Sequence, residues 1–217
     1  MNKKIVLSSL LVLSTMCSAA DYNEIVEDRQ IIGSTIVDLN VNSEDLNVGI
    51  KYDLSNVNKS FKPNMSYLGI RYLKIDEEEN NKNGLVEINF SIKDFIKTIP
   101  GFKVGIGAKM VYTNYDFNNG QNADFLAIPI GIEAEYFLPA FISPNIPISI
   151  EGSAYYAPNP LSLMDANDYF ETIAKINFRL LEHTNAYVGY RSINTNYDND
   201  IDVLYNENWF VGVSFGF

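Results

Sequence analysis

Few residues of this chain have the types and spacing that catalysis requires. Glu133 and Glu135 lie two positions apart, so a β-strand would present both carboxylates on one face, as a general acid–base pair requires. Nearby lysines give these glutamates a simpler role in ion pairs. We therefore expect no catalysis at this pair.

The chain has only one His, His183, and only one Cys, Cys17. One His and one Cys are too few for a zinc site and make a Cys nucleophile or a His-centred triad an unfavourable interpretation. The acidic runs at 76–79 and 198–202 could bind Ca²⁺ loosely, but they lack the Asp and Gly spacing of a calcium-binding loop. We predict that the protein is not an enzyme and holds no metal or cofactor.

The composition excludes two further classes of protein. Of the 217 residues, 47% are hydrophobic and 20% are charged, which is too apolar for a disordered chain. The formal net charge of −11 repels phosphate, so we expect no nucleic-acid partner.

The N-terminus has the parts of a secretory signal peptide. Lys3 and Lys4 are followed by an apolar stretch at 5–16, too short for a spanning helix, and by small residues at 18–20. A lipoprotein signal acylated at Cys17 is the alternative, but the bulky Met16 precedes that cysteine. We expect a signal peptide over 1–20, a short N-terminal segment over 21–34 and a single barrel domain over 35–217.

The rest of the chain alternates apolar and polar residues with period two, which is typical of strands. In segment 102–112, for example, Val104, Ile106 and Met110 alternate with Lys103, Gly105 and Lys109. Ten such segments occur, most of them long enough to cross a membrane as tilted strands. They lie at 35–42, 46–54, 65–75, 84–92, 102–112, 124–137, 147–157, 168–180, 186–193 and 208–217.

The connections between the segments differ in length and charge. Long, polar connections at 76–84, 113–123, 158–167 and 194–208 alternate with shorter or more apolar ones. Bacterial outer-membrane barrels have this asymmetry, with long loops outside and short turns in the periplasm. The sequence predicts a transmembrane, antiparallel up-and-down β-barrel of about ten strands, with eight as the alternative count, and with both termini in the periplasm.

The apolar face of these strands is predicted to contact lipid. The opposite face is rich in glycine, which suits a narrow barrel interior, and the apolar set often ends in aromatic residues, as interface girdles do. The chain also ends in an alternating strand with Phe217, which resembles the assembly signal of outer-membrane proteins. A soluble, lipocalin-like periplasmic barrel, with its apolar face inward, is an alternative.

On this register a balanced set of charges enters the lumen. They are expected to form a structural ion-pair network that fills the barrel or, alternatively, to line a pore. The predicted lumen charges are Lys51, Arg71, Glu87, Lys103, Lys109, Glu133, Glu135, Glu151, Glu171, Lys175, Arg179 and Arg191, together with Asp38 and Asp53. His183 falls in a predicted periplasmic turn, away from the outer rim where barrel enzymes mostly place a histidine.

Several stretches carry a family resemblance. They are residues 107–114 (GAKMVYTN), 129–136 (PIGIEAEY), 151–162 (EGSAYYAPNPLS), 168–169 (DY) and 186–192 (AYVGYRS). In these stretches, from about Val104 onward, the chain resembles the YfaZ family of bacterial outer-membrane proteins, whereas the N-terminal half departs in its long acidic loop. The resemblance implies fold and location, and offers no catalytic residues to carry over.

We therefore expect a monomeric outer-membrane barrel of a Gram-negative bacterium, exported through the periplasm. Its expected partners are membrane lipid and the outer-membrane assembly machinery. The main functional hypothesis is a non-enzymatic structural or surface-interaction role with a polar, plugged lumen. The alternatives are a narrow pore for ions or small solutes and a soluble binding barrel.

Overall fold

The computed structural model describes residues 33–58, 65–76, 82–116, 122–139, 142, 146–197 and 201–217. The predicted signal peptide and most of the segment over 21–34 lie outside this part of the chain. Two short 3-10 helices, Leu54–Asn56 and Asn159–Leu161, accompany the strands. The strands are β1 (Thr35–Val41), β2 (Asp45–Asp53), β3 (Ser66–Asp76), β4 (Lys82–Phe95), β5 (Phe102–Asp116), β6 (Asn122–Ala127), β7 (Ile130–Phe137), β8 (Ile148–Ala157), β9 (Ser162–Met164), β10 (Ala166–Leu181), β11 (Thr184–Tyr197) and β12 (Ile201–Gly216).

The strands close into an antiparallel ring. β1 to β5 pair in chain order, β7 pairs with β5 and β8, β10 pairs with β8 and β11, and β11 pairs with β12. β1 pairs with β12 and completes the ring. β6 and β7 both pair with β5 and form one wall strand, interrupted at Ile128 and Pro129 because proline cannot donate to the ladder. The wall therefore has ten strands, which confirms the predicted up-and-down barrel and its larger strand count.

Two features of the wall were not predicted from the sequence. β9 lies in the connection between β8 and β10, and it pairs with β6 beside the break at Pro129. β4, β5, β11 and β12 also run further than their alternating segments, into stretches interpreted as loops. In the extensions of β11 and β12 the inward residues, such as Tyr197, Val203 and Tyr205, are buried and apolar or aromatic, so the polar-inward pattern of the predicted segments ends although the backbone pairing continues.

The two ends of the barrel differ. We call the end that carries the described termini and the turns at 96–101 and 182–183 the terminal rim, and the opposite end the loop rim. At the terminal rim the backbone of Phe217 closes the barrel onto β1: its carbonyl accepts from Ser34 N at 2.7 Å and its N–H donates to Thr35 O at 2.8 Å. Parts of three predicted long loops, at 77–81, 117–121 and 198–200, lie outside the described residues.

Interior glycines make room for aromatic rings. A Cβ added at Gly131 would lie 2.5 Å from ring atoms of Tyr155, and one added at Gly212 would collide with the ring of Tyr187. Since real Cβ atoms do not approach so closely, these positions need glycine for Tyr155 and Tyr187 to lie against the wall. The glycine-rich inner face thus serves packing as well as strand curvature.

The outward face of the wall is apolar. Ile70, Ile106, Ile132 and Trp209 each expose 59–69% of their surface, far more than apolar side chains of a soluble barrel's interior would. Among the outward aromatic pairs, Tyr156–Phe170 lies near the loop rim, with a centroid distance of 6.4 Å, and Phe102–Tyr136 lies near the terminal rim. Tyr190–Trp209, at 5.6 Å, lies at the middle of β11 and β12. This is the lipid-facing surface of a transmembrane barrel, and it is the opposite of a lipocalin's arrangement. Among the described residues, no helix is both long and apolar enough to cross a bilayer.

Candidate functional site in the barrel lumen

The lumen holds a closed ring of four charged side chains, which we call the upper ion cluster: Arg71, Glu87, Lys109 and Glu171. Arg71 Nη2 lies 2.5 Å from Glu87 Oε2 and 2.6 Å from Glu171 Oε1. Lys109 Nζ lies 3.2 Å from Glu87 Oε2 and 2.6 Å from Glu171 Oε2. Each cation thus contacts both anions, so the four charges neutralise one another where water is largely absent.

The upper ion cluster crosses the lumen. Arg71 projects from β3 and Glu171 from β10, which are on opposite walls of the ten-strand ring. Tyr169 donates a hydrogen bond to Glu171 at 3.2 Å, and Asn89 donates one to Glu87 at 2.9 Å. Contacts between opposite walls occupy the barrel axis at this level.

Arg191 forms a second buried charge site beside the upper ion cluster. Its guanidinium lies 3.5 Å from Asp45 Oδ2, donates to Asn206 Oδ1 at 3.0 Å and lies 5.2 Å from the ring centroid of Phe210. Asn206 follows an irregularity in the pairing of β11 with β12, where Tyr205 and Asn206 are both buried. This β-bulge lets two consecutive side chains point inward.

Closer to the terminal rim lies a lower ion cluster of Lys93, Glu133, Glu151 and Lys175. Lys93 Nζ is 3.0 Å from Glu133 and 3.3 Å from Glu151, and Lys175 Nζ is 2.8 Å from Glu151. Lys93 was not predicted to lie in the lumen, because the alternating segment 84–92 ends one residue before it. Every second residue from Glu87 onward faces the lumen. Had the same alternation been continued past residue 92, it would have placed Lys93 in the lumen.

The two glutamates considered for catalysis have separate partners. Glu133 pairs with Lys93 and accepts a short hydrogen bond from the Tyr155 hydroxyl. Glu135 accepts one from Ser149 Oγ at 2.7 Å. The two carboxylates therefore bind wall and lumen groups, and the geometry offers no shared proton between them.

The remaining predicted lumen charges lie toward the terminal rim. The ammonium of Lys103 lies 4.9 Å from the ring centroid of Phe95, and Arg179 donates to the carbonyl of Leu181 at 3.4 Å. Lys51 faces open space in the lumen.

Two aspartates complete the predicted set. Asp38 accepts hydrogen bonds from Tyr187 at 2.7 Å and Ser214 at 2.8 Å. Asp53 caps the short helix Leu54–Asn56 by accepting from Ser55 N at 2.9 Å. Asp53 thus has a local role at the rim, which strand parity alone does not reveal.

The lumen is apolar near the loop rim, where the sequence predicted a polar interior. Phe125 is fully buried there, with ring centroids of Tyr169, Tyr197 and Tyr205 at 5.8, 6.1 and 5.8 Å. We call this group the loop-rim cluster. Its members are Leu73, Leu85, Val111, Phe125, Ala127, Ala157, Ala166, Tyr169, Ile193, Tyr197, Val203 and Tyr205.

The loop-rim cluster corrects the expectation of a polar lumen along the whole barrel. Its sequence signal is the loss of alternation near that end, where both faces of a strand are apolar, as in Tyr72–Leu73 and Leu85–Val86. A strand position that is apolar on both faces must be buried on its inner side as well.

Two cavities lie in the lumen below the upper ion cluster. One, of about 120 Å³, extends to the terminal rim, and the other, of about 90 Å³, lies in the middle of the barrel. Both are lined by Asp38, Lys51, Ser91, Glu151 and Lys175. The two spaces are therefore adjacent.

His183 lies in the turn between β10 and β11 at the terminal rim, exposed to solvent. Its carbonyl accepts from Gly216 N at 2.8 Å, which ties the turn to β12. Within the described ranges, no three His, Cys, Asp or Glu side chains are grouped as metal ligands would be.

Solved structures with a similar fold are distant in sequence. One is described as a bacterial polysaccharide outer membrane secretin, with 13% identity, a TM-score of 0.46, and coverage of 80% of this chain and 56% of that chain. This chain thus spans little more than half of the secretin's length. Another is the NanC porin, with 11% identity, a TM-score of 0.39, and coverage of 84% of this chain and all of the porin. No curated protein matches the sequence significantly.

The sequence profile described as YfaZ precursor matches residues 28–217. The match includes the N-terminal half, beyond the stretches from Val104 onward that carried the resemblance. The match covers nearly all of the chain that would remain after removal of the predicted signal peptide. The word precursor in the family's description agrees with a cleaved signal peptide. The chain belongs to the YfaZ family.

Proposed function

We propose that this protein is an outer-membrane barrel whose lumen is closed near the loop rim and whose role is structural or surface-interacting rather than enzymatic. In this proposal the chain is exported through the periplasm, the terminal rim faces the periplasm, and the loop rim faces the outside. The partners are membrane lipid around the barrel and whatever contacts its outer loops.

The observation that carries the proposal is the contact of Arg71 with Glu171 from opposite walls, at 2.6 Å. Each of the two side chains has a second partner in the cluster, Glu87 for Arg71 and Lys109 for Glu171, so a side chain that moves aside breaks two buried ion pairs at once. Breaking a buried pair from one side costs about 3–5 kcal/mol, so the crossing is a lasting obstruction.

The loop-rim cluster supports the same conclusion. Phe125 and three tyrosine rings fill the lumen above the upper ion cluster, and an apolar filling excludes hydrated ions. A barrel of ten strands is also near the size at which side chains fill the interior, whereas open porins need about 16–18 strands.

A narrow pore is the second candidate function. The adjacent cavities favour it, since together they lead from the terminal rim to the upper ion cluster. Conduction would require both the upper ion cluster and the loop-rim cluster to open.

Liposome swelling distinguishes a closed lumen from a pore that passes small solutes. We expect liposomes that carry the folded barrel to swell no faster in a small iso-osmotic sugar than protein-free liposomes. Heat-modifiable migration on gels shows that the barrel is folded and inserted in the same sample. Swelling that rises with the amount of folded barrel would contradict the closed lumen and favour the pore.

We further propose that Phe217 is read by the outer-membrane assembly machinery. Its side chain is 73% exposed, while its backbone is held by Ser34 and Thr35. Replacing Phe217 by Ser removes the ring and leaves the backbone bonds available. We expect the folded barrel in outer-membrane fractions to fall severalfold, with unchanged refolding of the purified variant into detergent.

The matched control is Phe215→Ser, which removes another outward ring of β12. Normal surface levels of Phe217→Ser would refute the assembly role. An equal loss for Phe215→Ser would mean that position 217 has no special role in assembly.

A further inference from the structure

We propose that the 120 Å³ cavity at the terminal rim binds a small oxyanion of the phosphate class, with Lys51 as its principal counter-charge. This site is additional to the proposed closure of the lumen and does not depend on it, because the cavity lies on the other side of the upper ion cluster. If the loop rim is closed, this cavity opens only to the periplasm.

Lys51 is the cation of this cavity without a partner of its own. Among the residues that the structure describes, no carboxylate lies within ion-pair distance of its ammonium and no group hydrogen-bonds to it. The neighbouring cations Lys93 and Lys175 share Glu151, at 3.3 and 2.8 Å. Charged groups in a barrel interior are expected to be paired, so the Lys51 ammonium can take an anionic ligand as its partner.

The acidic groups around Lys51 are already engaged. Asp38 accepts from Tyr187 and Ser214, and Glu135 accepts from Ser149. Glu151 lies between two ammonium groups in the lower ion cluster. Hydroxyl donors leave the charges of Asp38 and Glu135 in place, but the lining of the cavity carries five cationic side chains against three carboxylates, so it favours an anion.

Hydrogen-bond donors around the cavity suit an oxygen-rich ligand. Asn185 lines the cavity, and its side-chain oxygen is buried without a hydrogen-bond partner. Rotation of the amide would put the NH₂ group in place of this unpartnered oxygen, and an NH₂ group can donate to an oxyanion. Ser91 and Asn177 also line the cavity and can donate further hydrogen bonds.

The size and the mouth of the cavity fit a small ligand. A volume of 120 Å³ holds several water molecules or one inorganic oxyanion, but no large solute. Lys103 and Arg179 also line the cavity, toward the terminal rim, so its entrance carries cationic groups. Lysine ammonium groups act as point charges that bind phosphate well.

Calorimetric titration of the folded, full-length mature barrel in zwitterionic micelles tests the proposal. Inorganic phosphate is added to protein in a chloride buffer of equal ionic strength. We expect saturable binding with one phosphate per chain. No saturable binding by the wild-type barrel would overturn the proposal whatever the variants do.

Two variants locate the site. Lys51→Met keeps the aliphatic stem and removes the charge, and we expect it to weaken phosphate binding at least about tenfold. Lys97→Met makes the same change at an exposed position in the turn at 96–101, and we expect its affinity to equal that of the wild type. Equal affinity of Lys51→Met and the wild type would show that phosphate binds elsewhere and would refute the site.

Discussion

Replacing Glu171 by Gln is expected to lower the free energy of unfolding by about 3–5 kcal/mol. Glu171 is fully buried and contacts Arg71 at 2.6 Å and Lys109 at 2.6 Å. Glutamine keeps the size and shape of the side chain but removes the charge. Two cations then share the single carboxylate of Glu87, and one positive charge is left uncompensated in the barrel.

Equilibrium unfolding in urea, with the barrel reconstituted in lipid vesicles, measures this effect. The matched control is Glu182→Gln in the exposed turn between β10 and β11, which should change the unfolding free energy by less than about 0.5 kcal/mol. A Glu171→Gln barrel as stable as the control would show that the upper ion cluster contributes little.

A charge-balanced variant separates the loss of charge from the loss of contact. In Arg71→Met combined with Glu171→Gln, Lys109 and Glu87 remain, 3.2 Å apart. Because no charge is left unpaired, the double variant should be more stable than Glu171→Gln alone. An additive, larger loss in the double variant would contradict the charge-compensation argument.

Replacing Phe125 by Ala is expected to cost about 3–5 kcal/mol of unfolding free energy, a loss typical of buried Phe truncations. The ring is fully buried and contacts three tyrosine rings that come from β10, β11 and β12. Alanine leaves a cavity that these strands cannot close without shifting the wall.

The same urea titration measures this loss, and Phe125→Leu is its matched control. Leucine retains much of the apolar volume, so its cost should stay below about 1.5 kcal/mol. Equal stability of Phe125→Ala and the wild type would mean that the loop-rim cluster is not packed in the membrane-embedded protein.

The sequence predicted the wall of the barrel well because each wall strand carries its own period-two pattern. The outward set of Ile70, Ile106 and Ile132 is visible in the sequence without any knowledge of partners. Pro129 also signals a break, although the alternation of its neighbours predicted one continuous strand over 124–137.

The contents of the lumen were predicted less completely, since they depend on how strands stagger around the ring. Strand parity puts Arg71 and Glu171 inside, but only the closed ring places them at one level on opposite walls. Lys93 was missed at the end of a segment. The loop-rim cluster was missed because alternation, which identified the strands, disappears where Leu73 and Leu85 are buried.

The measurement that most directly tests the closed lumen is single-channel conductance of the refolded wild-type barrel in a planar bilayer. The same preparation must show heat-modifiable migration, so that an absence of current can be attributed to a folded, inserted barrel. With Arg71 and Glu171 bridging the walls below the ring of Phe125, we expect no current steps above those of a protein-free bilayer. Discrete, reproducible steps from the inserted barrel would contradict the closed lumen and identify the protein as a pore.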